Sequence, residues 1–190
     1  MNAAAGSYDH KCTLIGDIGG THCRLALHTQ SSGVEARSRM PTSAYDEPAA
    51  AIREYLSALS VRPRRAVLAV AGPVREGHVR MTNTHWTLDA AQLASDLGCD
   101  DVRLINDFAA VAAGLPRLRD ADCSLIGARR VAAGRAPRVV LGPGTGLGVG
   151  ALVPVGRGWQ TVATEGGHTT LAARNTDDAK ILEVLRETWG

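Results

Sequence analysis

Four short segments of the chain bring together residue types that handle phosphates and hydroxyls. The first is Gly16-Asp17-Ile18-Gly19-Gly20-Thr21, set between two apolar runs. Glycines in a hairpin let backbone N–H groups come close to phosphate oxygens, Thr21 adds a hydroxyl donor, and Asp17 is suited to hold Mg²⁺ through water. A plain glycine hairpin with an exposed acid is the alternative. The second segment runs from Gly142 to Gly150 and holds five glycines in nine residues, with Thr145 at its centre. That is more glycine than a turn requires, and two such loops could grip a polyphosphate from opposite sides, although a flexible glycine loop with no ligand has the same composition. Neither familiar nucleotide motif fits: there is no Gly-Lys-Ser/Thr, and Gly146-x-Gly148-x-x-Ala151 leads into a strand where a dinucleotide fold needs a helix.

The third segment is Asn106-Asp107. An acid at the end of a strand can accept the proton of an attacking hydroxyl, the base that phosphoryl transfer to an alcohol needs. The fourth, Glu165-Gly166-Gly167-His168, puts a carboxylate and an imidazole on one tight turn, where both can hydrogen-bond vicinal hydroxyls. Bland alternatives exist here too: Asp107 as the cap of the following helix, and His168 as a structural histidine. All four segments nevertheless fall at strand-to-loop junctions of one chain, which those alternatives do not explain.

The elements that must position these residues are legible from periodicity. Strands are expected at Cys12 to Asp17, Cys23 to His28 and Val34 to about Met40, forming an antiparallel meander. A helix from about Pro48 to Leu59 carries Ile52, Tyr55, Leu56 and Leu59 at helical spacing. The unbroken apolar run Ala66 to Ala71 reads as a strand buried on both faces, stopped by Gly72-Pro73. Then come a short strand at Val79 to Thr82, a helix from Asp89 to Leu97 ended by Gly98, a strand at Val102 to Ile105 and a helix from Phe108 to Gly114. Asn106-Asp107 therefore lies at a strand's carboxyl end, where ligands gather in open α/β sheets. The pattern restarts with strands at Ser124 to Ile126, Arg138 to Leu141, Leu147 to Val153 and Trp159 to Val162, and a helix from Thr176 to about Thr188. Two lobes are expected: a small N-terminal one over 1–117 and a partial larger one over 118–190.

Composition narrows the partners. The chain has 190 residues, 45% of them hydrophobic, and 21 basic against 19 acidic side chains give a formal charge of +2. So small a charge, with scattered arginines and few aromatics, gives no footprint for nucleic acid or for an anionic membrane surface. No apolar run approaches the ~20 residues of a membrane span. Residues 1–10 lack a basic head followed by an apolar stretch, so a cytoplasmic location is expected. Cys12, Cys23, Cys99 and Cys123 form no C-x-x-C pair and no zinc spacing, and are expected as buried or half-buried free thiols.

Taken in order, Leu14 to Thr21, Ala71 to Val74 with Thr82 to Trp86, Leu104 to Phe108, Gly142 to Gly150 and Glu165 to His168 closely resemble the bacterial glucokinases of the hexokinase and actin superfamily. The resemblance covers about Lys11 to Gly190. It implies an α/β, two-lobed fold of ribonuclease-H-like (actin-like ATPase) topology and ATP-dependent phosphorylation of the 6-hydroxyl of D-glucose, with ATP and Mg²⁺ as cofactors. By similarity Asp107 is the general base, and Asn106, Asp107, Glu165 and His168 hold sugar hydroxyls. Gly16, Asp17, Ile18, Gly19, Gly20 and Thr21, with Gly144, Thr145 and Gly146, form two phosphate loops, with Asp17 near the metal. A homodimer is the family's usual assembly. The chain departs from the family at Thr21-His22-Cys23-Arg24, where Asn usually follows the threonine. Family members are also longer, continuing into another sugar-binding glutamate, most of the adenosine site and a helix that returns to the first lobe. The expectation is thus a C-terminally truncated glucokinase, the alternative being a non-catalytic sugar-binding fragment. Glucose against other hexoses, and ATP against ADP or polyphosphate, are left open.

Overall fold

The computed structural model describes residues 12–81, 84–127, 135–143 and 146–189. Of the residues singled out in the sequence, Lys11, Thr82, Asn83, Gly144, Thr145 and Gly190 lie outside these ranges.

A five-stranded sheet forms the first half. It contains β1 (Thr13–Ile18), β2 (His22–Thr29), β3 (Gly33–Pro41), β4 (Arg65–Val70) and β7 (Asp101–Asn106), in the order β3-β2-β1-β4-β7. The β1–β2 and β2–β3 pairs are antiparallel, which is the expected meander, whereas β4 and β7 join in parallel. Parallel pairing requires crossovers, and α1 (Pro48–Leu59) and α2 (Ala90–Leu97) supply them. A small antiparallel pair, β5 (His78–Arg80) with β6 (Thr87–Asp89), precedes α2.

Local signals set the helix ends. Pro48 opens α1 with its ring-fixed φ, and Ser60 closes it at φ 54°. Asp89 caps α2, its Oδ1 accepting from the Ala91 and Gln92 amides at 2.8 and 3.0 Å, and Gly98 ends it in the left-handed region at φ 65°.

Ile52, Tyr55 and Leu56 of α1 and Leu93 of α2 share one core with Leu14, Ile18, Leu25, Leu27, Leu68, Val70 and Leu104. The core occupies one side of the sheet. In β4 only Ala66, Leu68 and Val70 are buried, while Val67 and Ala69 on the opposite face are half-buried, so the expectation of a strand buried on both faces is corrected. The helices of this half contribute their apolar stripes to the first face alone.

The second half holds a three-stranded antiparallel sheet, β8 (Arg138–Pro143), β9 (Leu147–Val155) and β10 (Gly158–Thr164), in the order β10-β9-β8. Between the sheets runs α3 (Asp107–Gly114), which packs across all three of these strands while its N-terminus continues β7. The final helix, α4 (Thr176–Trp189), leaves Ile181, Val184, Leu185 and Trp189 exposed. Ser124 to Ile126 is not a strand. Its apolar residues have no ladder partner among the described residues, and an unpaired strand leaves its backbone groups to water; Leu125 and Ile126 are accordingly exposed. Cys12, Cys23 and Cys99 are buried and form no disulfide among the described residues, as expected, and burial pushes the Cys23 thiol up to about 12; Cys123, by contrast, is exposed.

Candidate active site

Asn106 and Asp107 stand where β7 passes into α3. It is Asn106, not Asp107, that caps the helix, its Oδ1 accepting from the Ala109 amide at 3.0 Å. Its Nδ2 donates to the Gly72 carbonyl and to Asp107 Oδ1, both at 3.1 Å. Both amide hydrogens are therefore engaged within the protein, which makes Asn106 a brace for Asp107 and leaves it only acceptor capacity toward a ligand. Gly72 presents that carbonyl from a φ of 148°, a conformation side chains rarely adopt.

Asp107 Oδ1 also accepts from the Phe108 amide at 2.9 Å, and no hydrogen-bond partner of Oδ2 is present among the described residues. Burial pushes the Asp107 carboxyl above its usual range, and the negative charges of Asp17 and Glu165 push the same way, against the lowering effect of the Phe108 amide. Residues distant in sequence thus act on the carboxylate of Asp107 on α3: Asp17 on β1 and Glu165 beyond β10.

In the first glycine segment, Gly16 and Ile18 belong to the body of β1. A Cβ on Gly16 would lie 2.8 Å from Leu68 Cδ2 and 3.0 Å from Leu25 Cδ2, so this glycine serves core packing, and Ile18 is fully buried. The turn itself is Gly19 to Thr21. The Gly19 amide donates to the His22 carbonyl at 2.9 Å, and the Gly19 and Thr21 carbonyls accept from Thr42 Oγ1 and the Thr42 amide. The Gly20 and Thr21 amides have no partner among the described residues, which leaves two donors for an anion. Asp17 is paired with Arg24, Nη1 to Oδ2 at 2.6 Å.

The second glycine segment divides in the same way. Gly142, Gly148 and Gly150 lie in β8 and β9, and a methyl group built on any of them would collide with Phe108. Of the described glycines in this segment only Gly146 lies outside the two strands, and it is exposed, with nothing within 4 Å of where a Cβ would stand.

Glu165 to His168 forms a single helical turn after β10, held by the Gly166 amide donating to Thr164 Oγ1 at 2.7 Å and the His168 amide to the Glu165 carbonyl at 2.9 Å. Glu165 Oε2 and His168 Nε2 are 3.5 Å apart and solvent-facing. A methyl group on Gly167 would coincide with the Leu147 carbonyl, so this turn abuts the start of β9. The structure therefore assembles Asp107, Gly146 and the Glu165–His168 turn around α3 and β9. Two participants carried no signal of their own in the sequence: the Gly72 carbonyl that fixes Asn106, and the Phe108 ring.

No described cluster of three or more His, Cys, Asp and Glu side chains could cage a metal ion. One carboxylate already paired with arginine fits an ion held chiefly by phosphate oxygens and touched by Asp17 through water, the arrangement Mg²⁺ favours. The donors at Gly20 and Thr21 fit a phosphate. No described helix is long and apolar enough to cross a membrane.

The sheet order, with two antiparallel and two parallel pairings followed by a second sheet across a shared helix, defines the ribonuclease-H-like, actin-like ATPase fold of the sugar kinases. The family model described as Glucokinase matches residues 14–190. A glucokinase of Nitrobacter hamburgensis is 43% identical over 178 residues, covering 93% of this chain and 55% of the relative. The crystal structure of a glucokinase from an Antarctic psychrotroph superposes with a TM-score of 0.78 at 34% identity, covering 94% of this chain and 57% of that one. A Balamuthia mandrillaris glucokinase, solved in complex with glucose, gives 0.72 at 25% identity, covering 97% and 55%. The chain belongs to the glucokinase family. It spans about half the length of the relatives it matches.

Proposed function

We propose that this chain carries the sugar site and the phosphate turns of an ATP-dependent glucokinase that converts D-glucose to glucose 6-phosphate, the entry step of glycolysis, in the cytoplasm. The observation that carries this reading is Asp107: a half-buried carboxylate with one oxygen held by Asn106 and the Phe108 amide and the other without a hydrogen-bond partner among the described residues, within the fields of Asp17 and Glu165. A carboxylate raised above its usual range is a stronger proton acceptor, suited to take the proton of the 6-hydroxyl as that oxygen attacks phosphorus.

Glu165 and His168, adjacent on one turn, hold vicinal hydroxyls of the hexose, and the asymmetric pairing of carboxylate with imidazole fixes the ring's orientation. The Gly20 and Thr21 amides and Gly146 would receive phosphate oxygens, and Asp17 would hold Mg²⁺ through water, where the ion would offset phosphate charge. ATP, when bound, supplies the phosphoryl group. Proximity of the hydroxyl to the phosphorus under attack, set by these groups, provides most of the acceleration, and the base adds ~10²- to 10⁴-fold. The test is glucose- and Mg·ATP-dependent ADP formation by the chain and by Asp107→Asn. Turnover is expected to fall in the variant by ~10²- to 10⁴-fold with glucose affinity retained; unchanged turnover would remove Asp107 as the base.

A further inference from the structure

Phe108 follows Asp107 on the first turn of α3, so its ring and the carboxylate are placed by the same stretch of backbone. The rest of the helix is small apart from the half-exposed Val111: Ala109, Ala110, Ala112 and Ala113, of which Ala112 is buried. Phe108 is thus the one bulky side chain, besides exposed Val111, that the body of this helix carries. Its ring occupies the space that side chains on Gly142 and Gly148 would fill, and these two glycines are cross-strand partners in the β8–β9 ladder. The next pair toward the turn, Pro143 with Leu147, closes the hairpin just before Gly146. Two pairs back from Gly142–Gly148, a side chain on Gly150 would strike the Phe108 carbonyl. The ring therefore lies on a floor of bare backbone, directly beneath the phosphate turn. From the opposite side the Leu147 carbonyl meets Gly167, which ties the same hairpin to the Glu165–His168 turn.

We propose that Phe108 is a positioning residue that fixes how far the β8–β9 turn stands from Asp107, and so sets the phosphate contact of Gly146 relative to the base. This inference rests on the reading of Gly146 as a phosphate contact and of Asp107 as the base. A flat ring against glycine backbone permits only a narrow separation, because closer approach overlaps atoms and withdrawal forfeits the contact. The glycines at 142, 148 and 150 exist for this seat and not for the ligand, which separates them from Gly146.

The experiment is a titration of the ¹⁵N-labelled chain with Mg·ATP, and separately with D-glucose, followed at the amides of Gly19 to Thr21, Gly146, Leu147 and Glu165 to His168. In the parent, Mg·ATP shifts both turns and glucose shifts 165–168. In Phe108→Ala the shifts at Gly146 and Leu147 collapse and Mg·ATP affinity drops about ten-fold, while Gly19 to Thr21 still respond and glucose affinity stays within about two-fold; Phe108→Tyr, which keeps the ring, restores the response. Retention of the Gly146 response in Phe108→Ala overturns the proposal. So does loss of all responses together, glucose included, because that is general unfolding and not positioning. A parent chain that responds to glucose but shows no shift at Gly146 with Mg·ATP refutes the phosphate reading itself, and the positioning role falls with it.

Discussion

Replacing Asn106 by alanine removes three hydrogen bonds at once: from the Ala109 amide, to the Gly72 carbonyl and to Asp107 Oδ1. Loss of the N-cap costs about 1 kcal/mol. The half-buried Gly72 carbonyl left without its donor, and a carboxylate deprived of a neutral one, add about 1 kcal/mol each. The sum, about 3 kcal/mol, corresponds to a melting temperature lowered by roughly 6 to 12 °C for a chain of this size. Thermal unfolding followed by circular dichroism, with urea unfolding as a check, measures it. Asn106→Asp separates the contributions: it keeps an acceptor for the Ala109 amide but sets a second carboxylate against Asp107, so it is expected to melt between parent and Asn106→Ala at low pH and to lose that advantage near neutrality. An Asn106→Ala chain that melts within about 2 °C of the parent would refute the bracing role.

Two further outcomes follow from the packing and the charges. Gly16→Ala places a methyl against Leu68 and Leu25 inside the sheet and should destabilise the fold by about 1 to 3 kcal/mol in urea titrations, whereas a glycine kept only for phosphate contact would tolerate the change in stability. Asp107 has a folded-state pKa raised above its unfolded value, so its ionisation opposes folding above that pKa and the opposition fades as pH falls. Asp107→Asn should consequently melt higher than the parent at neutral pH, with the gap closing toward pH 3; a variant less stable than the parent at neutral pH would contradict this.

Much of this was legible in the sequence for physical reasons. The spacing of Ile52, Tyr55, Leu56 and Leu59 specifies one buried stripe, and α1 has the expected bounds Pro48–Leu59. Asn106-Asp107 was placed correctly at the end of a strand, yet the cap belongs to Asn106, because both residue types are good N-caps and only the backbone entering α3 decides which side chain meets the Ala109 amide. The segment Ser124 to Ile126, with two adjacent large apolar residues, resembles a strand because periodicity carries no information about whether a partner strand is near. Glycines at 142, 148 and 150 resembled a ligand loop for a related reason: their requirement comes from Phe108, more than thirty positions away, and close approach between distant residues leaves no local pattern.

The proposal that Glu165, His168 and Asp107 converge on one hexose is tested most directly by calorimetric titration of D-glucose into the parent chain and into a Glu165→Gln/His168→Ala double variant with unchanged melting behaviour. The parent is expected to bind and the double variant to bind about 10²-fold more weakly, two hydrogen bonds to charged or polarised partners having been lost at roughly tenfold each. Equal affinity in the two proteins would contradict the site described for this chain.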